Sequence, residues 1–166
     1  MTPTVERLRE VLNYDPLTGI FTHRIGRKGR GTRAGAIAGR IRAYDGYCRI
    51  GLDGERYFAH RLAWLYVTGK WPSSDIDHIS GEKADNRFAN LRLATGSENL
   101  ANAPRPRHNT TGLKGVNWHG KAGRWRATIK KDRKPIHIGY FDSAIEAHAA
   151  YVAKAKELFG EFARAA

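Results

Sequence analysis

The 166-residue sequence has little of three things, which are cysteine, acidic side chains and long apolar runs. Its single cysteine, Cys48, excludes an intramolecular disulfide and the zinc sites built from two or more cysteines, so we predict no structural zinc. No apolar run approaches the roughly 18 residues that a membrane-spanning helix needs, and the first residues are polar and charged rather than signal-like. We therefore expect a cytoplasmic protein with no membrane partner.

The shortage of acidic residues leaves a strong positive charge. Lysine and arginine total 29 against 16 aspartates and glutamates, which gives a formal net charge of +13. Nucleic acid is the polyanion that such chains usually bind, because each neutralised phosphate releases condensed counterions. A basic surface that serves only solubility is the alternative. The charge therefore predicts a nucleic-acid partner.

The pattern of elements changes near residue 105. Residues 102–112, NAPRPRHNTTG, carry two prolines and no large apolar side chain, so they predict a linker. Ahead of it, the dipeptide at 53–54, Asp-Gly, predicts a hairpin turn, and 60–69 predict a buried helix. Beyond it come three short strands and a helix over 143–160, with a serine cap and a glycine stop. The sequence therefore predicts an α+β chain with a domain at 1–103, a basic linker at 104–112 and a domain at 113–166.

The most informative stretch is DIDHISGEKADNRFANLRLATGSENL, residues 75–100. Ile76 and Ile79 flank Asp77 and His78, which predicts a short strand that sends neighbouring side chains to opposite faces. A carboxylate beside an imidazole suits metal-dependent hydrolysis of a phosphodiester, because the carboxylate holds a divalent cation and the histidine deprotonates water. For the dipeptide alone, a structural hydrogen-bonded pair is the alternative.

Two asparagines downstream favour the catalytic interpretation. Asn90 lies in a loop that runs into a strand, and Asn99 lies in the first turn of a helix that begins near Ser97. A strand, a loop, a strand and a helix in this order would bring Asp77 and Asn99 together. Four polar residues with this spacing are a stronger signal than the Asp-His pair alone.

This arrangement resembles the ββα-metal motif of the HNH endonuclease family. The matching positions are Asp77-His78, Gly81, Asp85-Asn86-Arg87, Asn90-Leu91, Thr95 and Asn99. The resemblance implies a phage or homing-type enzyme with a core at about 74–103 that cuts double-stranded DNA with Mg²⁺, or with Mn²⁺ as the alternative. By the same resemblance, His78 is the catalytic base, Asp77 and Asn99 are metal ligands, and Asn90 is a catalytic-site residue that fixes the loop. Asn99 stands where histidine is more frequent, which suits a hard, oxygen-preferring cation.

The C-terminal part resembles the AP2 DNA-binding domain. The features that carry the resemblance are Gly115-Val116 with Trp118, Trp125-Arg126-Ala127, Ile138-Gly139 with Phe141, and Phe159-Gly160. The resemblance implies a three-stranded antiparallel sheet packed on one helix, with the other face of the sheet lying in the major groove. We expect Arg124, Arg126 and Lys130 on that face because they share strand parity, together with Trp118. The full set of predicted DNA contacts is Arg87, Arg92, Arg105, Arg107, Lys114, Trp118, Arg124, Arg126 and Lys130.

Three hypotheses follow. The first is a metal-dependent DNA endonuclease in which an HNH domain cuts or nicks and an AP2-like domain selects the site. The second is a non-catalytic, sequence-specific DNA-binding regulator that keeps the nuclease fold as a scaffold. The third is an RNA-binding module, which the charge favours but which lacks an exposed aromatic pair for stacking single-stranded bases. The first predicts a protein of a bacterial host or phage-infected cell, and it leaves both a monomer and a homodimer open.

Overall fold

The structure is a computed structural model that describes residues 2–26, 32–106 and 108–164. The chain divides into two compact units, Met1–Leu93 and Ala94–Ala166. This division lies ahead of the predicted linker, so the predicted domain limits of 1–103, 104–112 and 113–166 stay a prediction. Of the predicted DNA contacts, Arg107 lies outside the described residues.

In the described residues, the first unit contains two helices and three small sheets, of which β1–β2 and β3–β4–β5 are antiparallel. The sheets pair β1 with β2, β3 with β4 and β5, and β6 with β7. The elements are α1 (Val5–Val11), β1 (Leu12–Asp15), β2 (Ile20–His23), β3 (Arg40–Ile41), β4 (Cys48–Leu52), β5 (Glu55–Phe58), α2 (Ala59–Thr68), β6 (Asp75–His78) and β7 (Leu91–Ala94), with a 3-10 turn at Phe88–Asn90.

The core of the first unit forms where α2 packs against these sheets. Leu62 and Leu65 of α2 are fully buried with Phe21, Ile50 and Leu52 from the strands. On β4, buried Ile50 and Leu52 alternate with outward-facing Arg49 and Gly51, as expected for a strand with one buried face. The buried face of β4 packs in the core, and its outer face is available to contact other molecules.

The predicted hairpin at Asp53-Gly54 is confirmed. Strands β4 and β5 pair antiparallel, and Leu52 lies opposite Glu55 across a two-residue turn. Both turn residues have positive φ, 49° at Asp53 and 89° at Gly54. This is the backbone of a type I′ turn, which Asp-Gly adopts at low cost.

In the described residues, the second unit contains a three-stranded antiparallel sheet, in the order β10, β9, β8, and two helices. Its elements are α3 (Gly96–Asn102), β8 (Val116–His119), β9 (Arg124–Lys131), β10 (Lys134–Phe141) and α4 (Ala144–Phe159), followed by a 3-10 turn at Gly160–Phe162. The predicted three strands and long helix are therefore present. Ser143 caps α4 by accepting a hydrogen bond from the backbone N–H of Glu146.

The sheet of the second unit buries one face against α4. Val116, Ala127 and Ile129 are buried on that face. Val116 and Ala127 share a buried cluster with Ala147 of α4, and Ile129 shares another with Tyr151 of α4. Residues between these positions along β9 point to the other face. Within the described residues, no helix is long and apolar enough to cross a membrane.

Candidate active site

Asp77 and His78 end strand β6, and both are buried, with 3% and 4% of their surface exposed. A strand alternates its side chains, so the two residues point to opposite faces even though they are adjacent in sequence. His78 Nε2 lies 3.5 Å from Asn86 Oδ1. Burial lowers the pKa of His78 below its ordinary value of 6.5. The imidazole is therefore neutral at pH 7, the form that can accept a proton.

The carboxylate of Asp77 forms an ion pair with Arg92 on strand β7. Arg92 Nε and Nη2 each lie 2.9 Å from Asp77 Oδ2. Only 13% of the Arg92 side chain is exposed. The guanidinium of Arg92 is therefore paired with a buried carboxylate, and its predicted contact with DNA stays a prediction. Arg92 orients Asp77.

Asn90 bridges the loop between β6 and β7. Its Oδ1 accepts a hydrogen bond from the Ser80 backbone N–H, and its Nδ2 donates to the Asp85 carbonyl, both at 2.9 Å. Its own carbonyl accepts from the Ile79 N–H, also at 2.9 Å. Asn90 is buried, so these bonds hold the loop that follows His78 in one conformation. The catalytic role predicted for Asn90 stays a prediction.

Aromatic rings surround His78. The ring of His60, the second residue of α2, meets the His78 ring edge-on at a centroid distance of 5.0 Å, and the Tyr47 ring lies 6.0 Å away. The Phe58 ring stacks on the His60 ring at a centroid distance of 5.2 Å. Burial lowers the pKa of His60 to about 3, so this ring stays neutral beside His78. From the sequence, His60 is expected to be a packing or phosphate-contacting histidine, and its contact with His78 could not be predicted because the two are 18 residues apart.

Asn99 lies on α3 in the second unit and is partly buried. The helix begins at a capping box in which Thr95 Oγ1 accepts from the Glu98 N–H and the Glu98 carboxylate accepts from the Thr95 N–H. The cap is therefore two residues earlier than the expected start near Ser97. The predicted approach of Asn99 to Asp77 stays a prediction.

The donor set of Asp77 and Asn99 fits a hard divalent cation in its chemistry. A carboxylate and an amide carbonyl both offer oxygen, and Mg²⁺ is commonly held by one or two protein oxygens together with substrate phosphate and water. In the described part of the chain, no group of three or more His, Cys, Asp or Glu side chains is arranged to hold a metal ion.

A groove on the outer face of the β3–β4–β5 sheet is lined only by arginine and glycine. Arg40 lies opposite Arg49, and Arg56 lies opposite Gly51. Like charges on facing residues destabilise a sheet, so this pairing suits a surface that binds a polyanion. Arg49 also forms an ion pair with Asp45 at 2.7 Å. The residues that line the groove are Gly39, Arg40, Arg42, Arg49, Gly51 and Arg56. The sequence analysis named none of these arginines.

In the second unit, the outer face of the sheet carries the predicted Arg124, Arg126 and Lys130. All three alternate with Ala127 and Ile129, which are buried on the helix side. Around them lie three rings that the sequence analysis did not single out. Tyr140 contacts His119 at 5.2 Å and His137 at 4.7 Å between ring centroids.

Trp118 lies on the other face from these three basic residues. It is the cross-strand partner of Trp125, and their rings meet at 5.3 Å. Cross-strand partners share a face, and Trp125 alternates with Arg124 and Arg126. The expectation that Trp118 shares a face with the arginines is therefore wrong, although the side chain is 53% exposed.

The predicted contacts Lys114, Arg105 and Arg87 have different surroundings. Lys114 is buried, and its ammonium group donates to the carbonyls of Ala101 and Ala103, each at 2.6 Å. Burial lowers the pKa of Lys114 to about 8. The buried ammonium group therefore binds backbone carbonyls at the end of α3, where it is not placed to contact a DNA phosphate. Arg105 and Arg87 are on the surface, where Arg105 donates to a backbone carbonyl and Arg87 forms an ion pair with a neighbouring carboxylate.

Asp77, His78, Asn90 and Asn99 all lie within a segment that matches a known protein family. Residues 57–101 match the family model described as HNH endonuclease. Protein 3.8 of Escherichia phage T7 is 36% identical over 106 residues, which cover 63% of this chain and 87% of that protein. The "Uncharacterized HNH endonuclease L560" of Acanthamoeba polyphaga mimivirus is 34% identical over 106 residues, 63% of this chain and 54% of that protein.

One solved structure is also similar in part. It is described as "DNA binding and cleavage by the HNH homing endonuclease I-HmuI", and it aligns with a TM-score of 0.45 and 21% identity. The alignment covers 96% of this chain and 84% of that chain.

Proposed function

This chain belongs to the HNH endonuclease family, and we propose that it hydrolyses DNA with His78 as the general base and with Asp77 and Asn99 as ligands of a divalent cation. Mg²⁺ is the proposed cation and Mn²⁺ the alternative. The observation that carries the proposal is the pair at the end of β6. A buried, neutral imidazole directly follows a buried carboxylate, inside the family-matched residues.

The protein side chains have separate proposed roles. His78 accepts a proton from the attacking water, for which it must be neutral. Arg92 holds the Asp77 carboxylate in one orientation through Oδ2. Asn90 fixes the loop after His78 through its two side-chain hydrogen bonds. When bound, a divalent cation supplies electrostatic stabilisation of the charge that develops on the phosphodiester.

The ring of His60 has a positioning role in this proposal. Its edge-on contact at 5.0 Å limits the rotation of the His78 ring, and Phe58 in turn stacks on His60. Since His60 is neutral, it adds no positive charge that would oppose protonation of His78 during the reaction. A rigid, neutral neighbour suits a general base that gains and loses a proton in each turnover.

Two basic surfaces are proposed to bind DNA. On the second unit, Arg124, Arg126 and Lys130 line one face of a three-stranded sheet, a shape that can enter the major groove. We assign this sheet the AP2-like role of selecting the site. On the first unit, the arginine and glycine groove suits the phosphate backbone, because glycine lets the chain approach closely and arginine pairs with phosphate. The proposed enzyme acts in a phage or homing context.

A plasmid assay tests the proposal. Supercoiled plasmid incubated with the protein and Mg²⁺ should become nicked or linear, and EDTA should prevent this. The Asp77→Asn variant should bind the same DNA but cut it at least about 100-fold more slowly. DNA binding without any cleavage in Mg²⁺ or Mn²⁺ would refute the endonuclease proposal and favour the non-catalytic regulator.

A further inference from the structure

Helix α3, which carries Asn99, is fastened at both ends to other parts of the second unit. At its first turn, Ser97 Oγ donates to Asp132 Oδ1 at 2.9 Å and accepts from the Asp132 backbone N–H at 2.7 Å. At its other end, the Lys114 ammonium donates to the carbonyls of Ala101 and Ala103. A helix of seven residues is marginal by itself, so these contacts help to hold α3 in place together with the burial of Ala101.

The turn that holds Ser97 has an unfavourable backbone conformation. It joins β9 to β10 through Asp132 and Arg133, whose φ angles are 49° and 64°. Two-residue hairpin turns of this kind usually contain glycine, asparagine or aspartate, so Asp132 fits the turn and Arg133 does not. Arg133 is therefore the strained residue of this turn, and the Asp132 carboxylate beside it accepts a hydrogen bond from Ser97 of α3.

The side of α3 that makes the contacts at Ser97 and Ala101 is opposite to the side that carries Asn99. Ser97 and Ala101 are four residues apart and share one face of the helix. Ala101 is buried in a cluster with Ile129 and Tyr151. Asn99 is two residues from both, which is about 200° around the helix. The contacts at Ser97 and Ala101 therefore fix the rotation of α3 and leave Asn99 on the opposite side.

We propose that Ser97, Asp132 and Lys114 are positioning residues that set the direction of the Asn99 side chain for cation binding. The inference rests on the proposed function, in which Asn99 is a metal ligand. Asn99 lies within the first turn and a half of α3, next to the Ser97 contact, so loss of that contact frees the part of the helix that carries the ligand. Residues that orient a ligand affect metal affinity without touching the metal.

Four variants of the full-length protein test this inference. Ser97→Ala removes both hydrogen bonds, and Asp132→Ala removes the one to the carboxylate, whereas Asp132→Asn keeps a side-chain acceptor for Ser97 and tolerates positive φ. Ser143→Ala is the matched control, because it removes a serine hydroxyl that accepts a hydrogen bond at the start of α4 in the same unit. Free Mn²⁺ measured by electron paramagnetic resonance gives the affinity for Mn²⁺ directly. The Mn²⁺ dependence of DNA cleavage and the affinity for DNA are measured in parallel.

We expect Ser97→Ala and Asp132→Ala to weaken Mn²⁺ binding about five- to tenfold, the effect of losing one hydrogen-bonded constraint. The Mn²⁺ concentration for half-maximal cleavage should rise by the same factor, with DNA affinity unchanged. Asp132→Asn and Ser143→Ala should stay within about twofold of the wild type. Wild-type Mn²⁺ affinity in both alanine variants would overturn the inference, as would an equal loss in Ser143→Ala. If Asn99→Ala itself binds Mn²⁺ like the wild type, the ligand role in the proposed function fails.

Discussion

Replacing Arg92 by leucine tests whether Asp77 is a cation ligand. The two side chains form an ion pair with contacts of 2.9 Å, and they are only 13% and 4% exposed. Removing one partner of a buried ion pair typically costs about 3 to 5 kcal/mol, because the buried charge that remains loses its counter-charge. We therefore expect Arg92→Leu to lower the free energy of unfolding of the first unit by about that amount in metal-free buffer.

A cation bound to Asp77 would restore part of this loss. At a Mn²⁺ concentration of about 100 times its Kd, binding to the folded protein stabilises it by about 2.7 kcal/mol. Mn²⁺ should therefore recover roughly half or more of the loss in Arg92→Leu. The double variant Asp77→Asn with Arg92→Leu has no buried carboxylate, so it should be more stable than Arg92→Leu alone and should not respond to Mn²⁺.

Amide hydrogen exchange of α2 measures this free energy for the first unit alone. The helix carries Leu62 and Leu65, which are fully buried, so its amides exchange by unfolding of the unit. Arg87→Leu is the control, because Arg87 is 54% exposed in its ion pair and should contribute less than about 1 kcal/mol. A cost below about 1 kcal/mol for Arg92→Leu would refute the burial argument. Equal stabilisation of the double variant by Mn²⁺ would refute the ligand role of Asp77.

Three further predictions follow from the site and its support. Burial lowers the pKa of His78, so the acidic limb of cleavage rate against pH should have its midpoint below the ordinary value of 6.5, and a midpoint above 7 would contradict a neutral base. Gly115→Ala should destabilise the second unit by about 2 to 4 kcal/mol in exchange of the α4 amides, because φ is +76° and an added Cβ would overlap the Tyr151 ring. Asn90→Ala should lower the free energy of unfolding in urea by about 2 kcal/mol, because two side-chain hydrogen bonds are lost. It should also speed amide exchange in the loop before β7, and unchanged exchange there would contradict the bridging role of Asn90.

Local signals in the sequence predicted several elements well. The Asp53-Gly54 turn, the strand that holds Asp77, and the three strands and helix after residue 112 are all present. Each depends on neighbouring residues, because turn chemistry, strand alternation and helix caps act over a few positions. The shared face of Arg124, Arg126 and Lys130 was predictable for the same reason.

The surroundings of the site were harder to predict because they depend on distant residues. The pairing of Asp77 with Arg92 and the contact of His60 with His78 require the register of strands and the packing of α2. Lys114 looked like a surface cation in the sequence, yet three backbone carbonyls surround its ammonium group. Trp118 was placed on the wrong face because the residue opposite it on β9 could not be known from one strand.

The most direct test of the central claim is single-turnover cleavage of DNA by His78→Ala with Mg²⁺ at saturating protein. A positioned general base contributes about 10² to 10⁴ to the rate, so the variant should cut at least about 100-fold more slowly. Its affinity for the same DNA in EDTA should match that of the wild type. Cleavage by His78→Ala within about threefold of the wild-type rate would contradict His78 as the base, and with it the proposed active site.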